Sequence, residues 1–341
     1  MRRVIAGARR GICCAFRKKP TINGSLGRRV PHPDSERAGD ATADNAVDTS
    51  SVARARSDPP FLRSSVLLAE LQMTINAAGL RLFDGNLDRF VIVTLLGRET
   101  VLSRIELRPI PVHALATSLG RSPETVRRHV DALVESGLCE RHRGGVVVKA
   151  GVLQRPEIVA MLTLVHDCFV RFVEDWSLAA TLPSAAPASL GYDWRVGLRT
   201  AIDIMLATLE TNAGTHGSWL DLVIFSAVLC ANARRYGNGT GPLDQRHAVP
   251  ISVVARTLGL PEATVRRRVS GKNGFHAAIA RTRKGLVIRE TWSRDPAHRE
   301  ISLQTQSNIR RLLIRAGNNG FPFNRLQSAY LDQRPPATSF V

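Results

Sequence analysis

The sequence has few cysteines, and their spacing excludes the usual roles of clustered cysteines. The five cysteines are Cys13, Cys14, Cys139, Cys168 and Cys230, and no two stand in a CxxC pair. This odd set predicts neither a disulfide framework nor zinc ligands, and it fits a reducing cytoplasm. No uncharged apolar run reaches about 18 residues, so a transmembrane helix is not expected.

Motifs that carry enzyme chemistry are missing as well. We find no HExxH, GxSxG, Walker or GxGxxG pattern. His113, His129 and His166 are isolated and lack metal-ligand spacing, and the GNGTGP segment lacks the strand-to-helix context of a phosphate loop. The sequence therefore predicts a protein that is not an enzyme and has no cofactor and no metal site.

Positive charge is abundant. The net charge is +18, and residues 61–316 alone hold 33 Lys+Arg against 22 Asp+Glu. Such a balance favours polyanionic partners. Arginine supplies 42 of the 47 basic side chains, although a GC-rich genome would enrich arginine too. The first 30 residues contain no acid and read as a disordered basic arm or an over-extended start, not as a signal peptide.

A repeat at fixed offset is the most informative feature present. Residues Ile110–Val130 return 139 residues later as Val249–Val269, with nine of 21 positions identical. The repeated pattern predicts helices over about Val112–Leu119 and Pro123–Ser136, and again over Ile251–Leu258 and Pro261–Ser270. Each second helix carries adjacent arginines.

The first repeat has the features of two helices that cross at a tight turn. Gly120 permits the turn, and Ser122 followed by Pro123 is a favourable start for the second helix. On a helical wheel the apolar residues of that helix share one side, and Arg128 lies on the opposite, exposed side. The apolar residues are Val126, Val130 and Leu133.

A pair of short strands with a basic tip follows each repeat. The predicted strands are Cys139–Arg141 with Val146–Lys149, and Ile279–Arg281 with Leu286–Arg289. The turns are suited to contacts with phosphates or with the adjacent minor groove of DNA. Their basic residues are Arg141 and Arg143 in the first pair and Arg281, Arg283 and Lys284 in the second.

The flanking helices extend the repeat to whole units. Helices are predicted over about 61–78, 87–98 and 155–178, and over 194–211, 219–234 and 299–315, with Leu87-Asp88 matching Leu220-Asp221. The expected organisation is a disordered basic arm at 1–58, unit 1 at 59–180, a linker at 181–192, unit 2 at 193–316 and a C-terminal tail at 317–341.

The segment LGRSPETVRRHVDALVESGL…GGVVV resembles sequences of the winged helix-turn-helix superfamily of bacterial transcription regulators. The resemblance is strong over about 110–148 and moderate over 249–289. It implies a mainly α fold with small β-wings, and together with the repeat it predicts two tandem winged helix-turn-helix domains from an internal duplication. The resemblance also implies that Thr125, Arg127 and Arg128 belong to a recognition helix and that Arg141 and Arg143 belong to a wing. The further residues predicted to bind DNA are Arg121, Ser122, His129, Thr264, Arg266, Arg267, Arg268, Arg281, Arg283 and Lys284.

These features predict sequence-specific binding of double-stranded DNA and transcription regulation in a bacterial, nucleoid-associated cytoplasmic protein. Two recognition helices would enter successive major grooves. The second helix is the weaker prediction, because Ser-Gly-Lys-Asn-Gly follows Val269 and Lys272 replaces an apolar core position. A plasmid-type replication initiator and a protein-interaction scaffold remain alternatives, a homodimer is left open, and no membrane partner is expected.

Overall fold

The computed structural model describes residues 63–102, 108–178, 181–183, 191–237, 243–270 and 275–341. The predicted disordered arm at 1–58, most of the predicted linker at 181–192 and Lys272 lie outside the described residues. All described residues belong to one compact unit.

The first half of the chain contains five helices and one hairpin among the described residues. They are α1 (Arg63–Leu82), α2 (Leu87–Leu102), α3 (Val112–Leu119), α4 (Pro123–Glu135), β1 (Cys139–His142), β2 (Gly145–Val148) and α5 (Pro156–Ser177). A short 3-10 turn, Val152–Gln154, precedes α5. The architecture is mainly helical with a small antiparallel sheet, as the sequence predicts.

The second half has a similar order of elements. They are α6 (Trp194–His216), α7 (Trp219–Tyr236), α8 (Ile251–Leu258), α9 (Glu262–Ser270), α10 (Phe275–Ala278), β3 (Ile279–Thr282), β4 (Gly285–Ile288), α11 (Glu290–Ser293) and α12 (Pro296–Asn318). The segment after α12 contains a 3-10 turn, Leu326–Ala329. The four-residue helices α10 and α11 are too short for periodicity to predict.

The α3–α4 corner forms for the reasons visible in its sequence. Gly120 adopts φ 61°, the left-handed region, and its N–H caps the carbonyls at the end of α3. The Ser122 hydroxyl then accepts a hydrogen bond from the Thr125 N–H at 3.2 Å and caps α4. Val126, Val130 and Leu133 are buried and hold α4 on the core.

Each hairpin gains a third segment that the sequence does not predict. Ile110, just before α3, exchanges two backbone hydrogen bonds of 3.0 Å with Val146 of β2. Val249 does the same with Leu286 of β4, at 2.9 and 2.8 Å. The approach requires glycine: a Cβ on Gly145 would lie 2.4 Å from the Ile110 carbonyl oxygen. The hairpin is thereby tied to the entrance of the helix pair.

Several helices differ in length from the sequence expectation. Helix α6 continues to His216 rather than ending near 211, and α12 spans Pro296–Asn318 rather than 299–315. The additional turn of α6 is stabilised by tertiary contacts, because the His216 ring packs 4.6 Å from that of Phe225. The described part of α9 runs to Ser270, and the four residues that follow it lie outside the described residues.

The two halves share one continuous core. Helix α1 packs against α5 of its own half and against α7 and α8 of the other half. Two carboxylates connect the halves: Glu70 accepts from Arg171 at 2.8 Å and from Arg234 at 2.7 Å. Asp203 of α6 accepts from Arg98 of α2 at 2.7 Å.

The segment after α12 returns to the first half. The Phe321 ring is fully buried and packs edge-on against Phe169 of α5, with ring centres 5.1 Å apart. The Asp167 carboxylate accepts hydrogen bonds from the backbone N–H groups of Leu331 and Asp332 at 2.9 and 3.0 Å. Residues 319–341 therefore fasten the end of the chain onto α5.

Within the described ranges, no single helix is long and apolar enough to cross a membrane. Helix α1 and residues 87–99 meet the length and composition requirement only when joined across a bend of 104°. No group of three or more His, Cys, Asp or Glu side chains in the described part of the chain could hold a metal ion.

Candidate nucleic-acid interface

The exposed side of α4 combines one paired and one unpaired arginine. Arg127 forms an ion pair with Glu124 one turn earlier, and both side chains are largely exposed. Arg128 is exposed and has no hydrogen-bond or ion-pair partner among the described residues. A planar guanidinium in this state has all its donors available for phosphate or base edges.

Two other predicted contact residues of the first unit turn toward the protein. Arg121 and His129 both approach the Asp88 carboxylate in the first turn of α2, at 3.3 and 3.6 Å. Burial lowers the pKa of His129, and the Asp88 charge opposes that shift only in part. Arg121, in the turn between α3 and α4, and His129 of α4 therefore contact α2 rather than projecting from the exposed side.

Helix α9 again carries one paired and one unpaired arginine, although its glutamate, Glu262, stands at the position equivalent to Pro123 rather than to Glu124. Arg266 pairs with Glu262 at 2.5 Å, while Arg267 is exposed and has no partner among the described residues. Arg268 turns inward, with its guanidinium 3.6 Å from the carboxylate of Asp221, which is only 3% exposed. Burial raises the pKa of Asp221, and the Ser218 hydroxyl and the Arg268 charge oppose the rise.

Some basic residues of the hairpins contact a neighbouring helix, whereas others are exposed without a partner among the described residues. Arg141 of β1 pairs with Asp131 of α4 at 2.5 Å, and Arg281 of β3 reaches the Ser270 hydroxyl of α9 at 3.5 Å. Arg143, in the turn between β1 and β2, is exposed without a partner among the described residues. Arg141 and Arg281 thus each link a hairpin to the recognition-type helix that precedes it.

The second hairpin has a denser basic tip. Arg283 and Lys284 form the two-residue turn between β3 and β4, and both are exposed. The Lys284 backbone N–H donates to the Thr282 hydroxyl at 3.2 Å, which orders the turn.

Most predicted site residues therefore lie on the exposed parts of two helices and two hairpin tips. Ser122 and Thr125 serve the cap of α4, since their hydroxyls are 2.8 Å apart, and Thr264 is half-buried at the matching place in α9. Sequence reasoning missed the role of Asp88 and Asp221. The matched Leu87-Asp88 and Leu220-Asp221 pairs were the available signal, but the partner of each carboxylate depends on the tertiary fold.

Residues 106–150 match the DeoR-like helix-turn-helix domain. The matched range contains α3, α4, β1 and β2, so the chain carries a helix-turn-helix domain of the type that binds DNA in transcription regulators. The match ends before α8 and α9. No curated protein and no solved structure matches the chain.

Proposed function

We propose that the protein is a transcription regulator that binds double-stranded DNA in a sequence-specific manner through two recognition helices, α4 and α9. The observation that carries the proposal is the equivalence of Arg128 and Arg267. They occupy matching positions of the repeat, both are exposed, and neither has a partner among the described residues. The DeoR-like match at 106–150 supports the DNA-binding role of the first helix.

The proposal includes an origin by duplication, which three repeated contacts support. His129 and Arg268, at matching positions, each contact an aspartate in the first turn of the helix that precedes the repeat. The backbone bridges before α3 and α8 reach the same place in each hairpin. At both Gly145 and Gly285, a Cβ atom would clash with the backbone of the residue that forms the bridge.

Each helix would place its unpaired arginine against base edges, and each hairpin would contact the phosphate backbone. A good bidentate arginine–guanine pair contributes about 1–3 kcal/mol of discrimination against other bases. Arg143, Arg283 and Lys284 supply cations at the hairpin tips, where phosphate contact makes affinity depend on salt. Two recognition helices in one compact unit can bind DNA as the two helices of a symmetric dimer do, because successive major grooves lie about 34 Å apart.

The test is the affinity for a duplex selected from random sequence, measured by fluorescence anisotropy. Arg128→Ala and Arg267→Ala should each weaken binding by about tenfold, the loss expected for one bidentate contact. Arg310→Ala is the matched control, because Arg310 is an exposed arginine of α12 outside both helix pairs. This control should leave the affinity within about twofold.

Three outcomes separate the alternatives. If only Arg128→Ala weakens binding, α9 does not contact the bases and the proposal of two recognition helices is wrong. If the wild-type protein fails to bind any duplex in dilute buffer, the arginine faces serve protein partners instead. Selected sites that recur as iterated repeats near the gene, rather than once at a promoter, would favour a replication initiator.

A further inference from the structure

A cleft of about 510 Å³ lies between α1, α6, α7, α11 and α12, and no residue of α4 or α9 lines it. Small-molecule sites usually measure roughly 300–1,000 Å³. A second cavity, lined by residues of α1, α2 and α5, measures about 40 Å³ and is too small for a ligand of that kind. The cleft is large enough to hold a small molecule.

The floor of the cleft is apolar and aromatic. Leu68 of α1 and Phe225 of α7 are buried there, and Trp292 of α11 packs against Phe225 with ring centres 4.6 Å apart. The Trp292 ring is held in place from another side by His298, whose ring stacks on it at 4.4 Å. This aromatic floor favours a flat apolar molecule.

The polar groups of the cleft offer hydrogen-bond donors and positive charge. Arg63 and Arg299 line it, and neither has an ion-pair partner among the described residues. The Gln306 side-chain nitrogen, Nε2, is buried in the cleft wall without a hydrogen-bond partner. A buried donor without a partner is costly unless a ligand satisfies it.

No acidic residue is present among the described residues that line the cleft. Several lining hydroxyls are already engaged, since Thr208 and Ser226 each donate to a carbonyl of their own helix. These hydroxyl groups can still accept a hydrogen bond but do not add negative charge. The lining as a whole thus favours an anion over a neutral or cationic molecule.

We propose that this cleft binds a small amphipathic anion, with a flat apolar body on the Phe225–Trp292 floor and an acidic group between Arg63 and Arg299. Gln306 would donate to the same acidic group or to a neighbouring oxygen of the ligand. The proposed site uses no residue of α4 or α9.

The probe is 1-anilinonaphthalene-8-sulfonate, a flat apolar anion whose fluorescence rises when it leaves water. N-phenyl-1-naphthylamine has the same apolar skeleton without the sulfonate and reports the apolar floor alone. Both are titrated into the full chain at neutral pH, well below its melting temperature, with circular dichroism to verify that each variant is folded.

We expect the sulfonate probe to bind saturably with a stoichiometry of one. Arg63→Gln and Arg299→Gln should each weaken it about tenfold, as for loss of one charge-assisted contact, and leave the neutral probe within about twofold. Ser65→Trp, on the cleft side of α1, should block both probes by filling the space. Arg310→Gln, an exposed arginine of the same helix as Arg299, should change neither affinity.

Other results overturn the proposal. Binding of the sulfonate probe at many weak sites, with equal losses for Arg299→Gln and Arg310→Gln, would mean that general surface charge attracts it. Equal weakening of both probes by the two arginine variants would mean that the arginines do not recognise the acidic group. Unchanged binding in folded Ser65→Trp would place the probe elsewhere.

Discussion

Adjacent arginines on α4 differ in how their charge is used. Arg127 is neutralised by Glu124, whereas Arg128 is free among the described residues. On α9 the same distinction separates Arg266 from Arg267. The helical wheel identifies the exposed arginines from the sequence alone, but the glutamate pairing depends on rotamers and is fixed only by the structure.

Removing the glutamate should release the neighbouring arginine. Glu124→Gln frees Arg127 and takes a negative charge away from the DNA-facing side, so affinity for nonspecific duplex should rise. The slope of log K against log salt should steepen by about 0.9, the value for one added phosphate contact. Glu157→Gln, an exposed glutamate in the first turn of α5, is the control. An unchanged slope would mean that Arg127 stays away from phosphate.

His216 should make the protein sensitive to acid. Its ring is 2% exposed, and burial, followed by the His298 charge, lowers the pKa from 6.5 to about 4. The unfolded chain therefore takes up the proton first. The contribution of His216 to stability is complete above pH 6.5 and is lost as the pH falls toward 4.

His216→Phe removes this titration and keeps an aromatic ring in place. Between pH 7 and pH 4.5, the wild-type free energy of unfolding should fall about 2 kcal/mol more than that of the variant. Urea unfolding at the two pH values measures the difference. Equal losses in the two proteins would show that His216 is not held neutral in the folded state.

At the level of elements, the helix pairs were the most predictable part. The bounds of α3 and α8 agree with the sequence expectation, because glycine ends both helices at φ 61° and 68°. The hairpin strands differ by about one residue, since Gly145 and Gly285 pair in the ladder rather than in the turn. The bridges at Ile110 and Val249 could not be predicted, because single residues outside a strand leave no periodicity.

The hairpin tips should control salt dependence. Arg143→Ala and Lys284→Ala should each lower the slope of log K against log salt by about 0.9, because each removes one phosphate contact. Arg141→Ala should act differently, since Arg141 braces the hairpin on Asp131 of α4. Titrations of duplex affinity between low and moderate salt distinguish the two effects, with Arg310→Ala as control. A slope unchanged in Arg143→Ala would contradict the assigned role of the tip.

The packing of the two halves depends on long-range contacts that no local sequence pattern predicts. Glu70 and Asp203 each gather arginines from both halves, and Thr338 of the C-terminal segment also donates its N–H to Glu70 at 3.2 Å. Composition and periodicity predict the helices but not their long-range partners. Within the segment 317–341, which the sequence predicts as a C-terminal tail, Phe321 and Phe323 are buried in the core, and their distant partners leave no local pattern.

Asp203 should be a major determinant of stability. Its carboxylate is 7% exposed and lies within 4 Å of Arg98, Arg199 and Arg315. Asp203→Asn leaves those guanidinium groups without their counter-charge, so the free energy of unfolding should fall by about 3 kcal/mol. Glu210→Gln, an exposed glutamate of the same helix, should change it by less than about 0.5 kcal/mol. Urea unfolding that gives equal values for the two variants would contradict this role.

The most direct test of binding through two recognition helices is to select DNA from a pool of random duplexes with the intact protein and to sequence what it binds. The account predicts two preferred blocks about 10–10.5 base pairs apart, one for each helix. Arg128→Ala should erase the preference in one block and Arg267→Ala in the other. A single block that Arg267→Ala leaves unchanged, or no preferred sequence at all, would contradict the account.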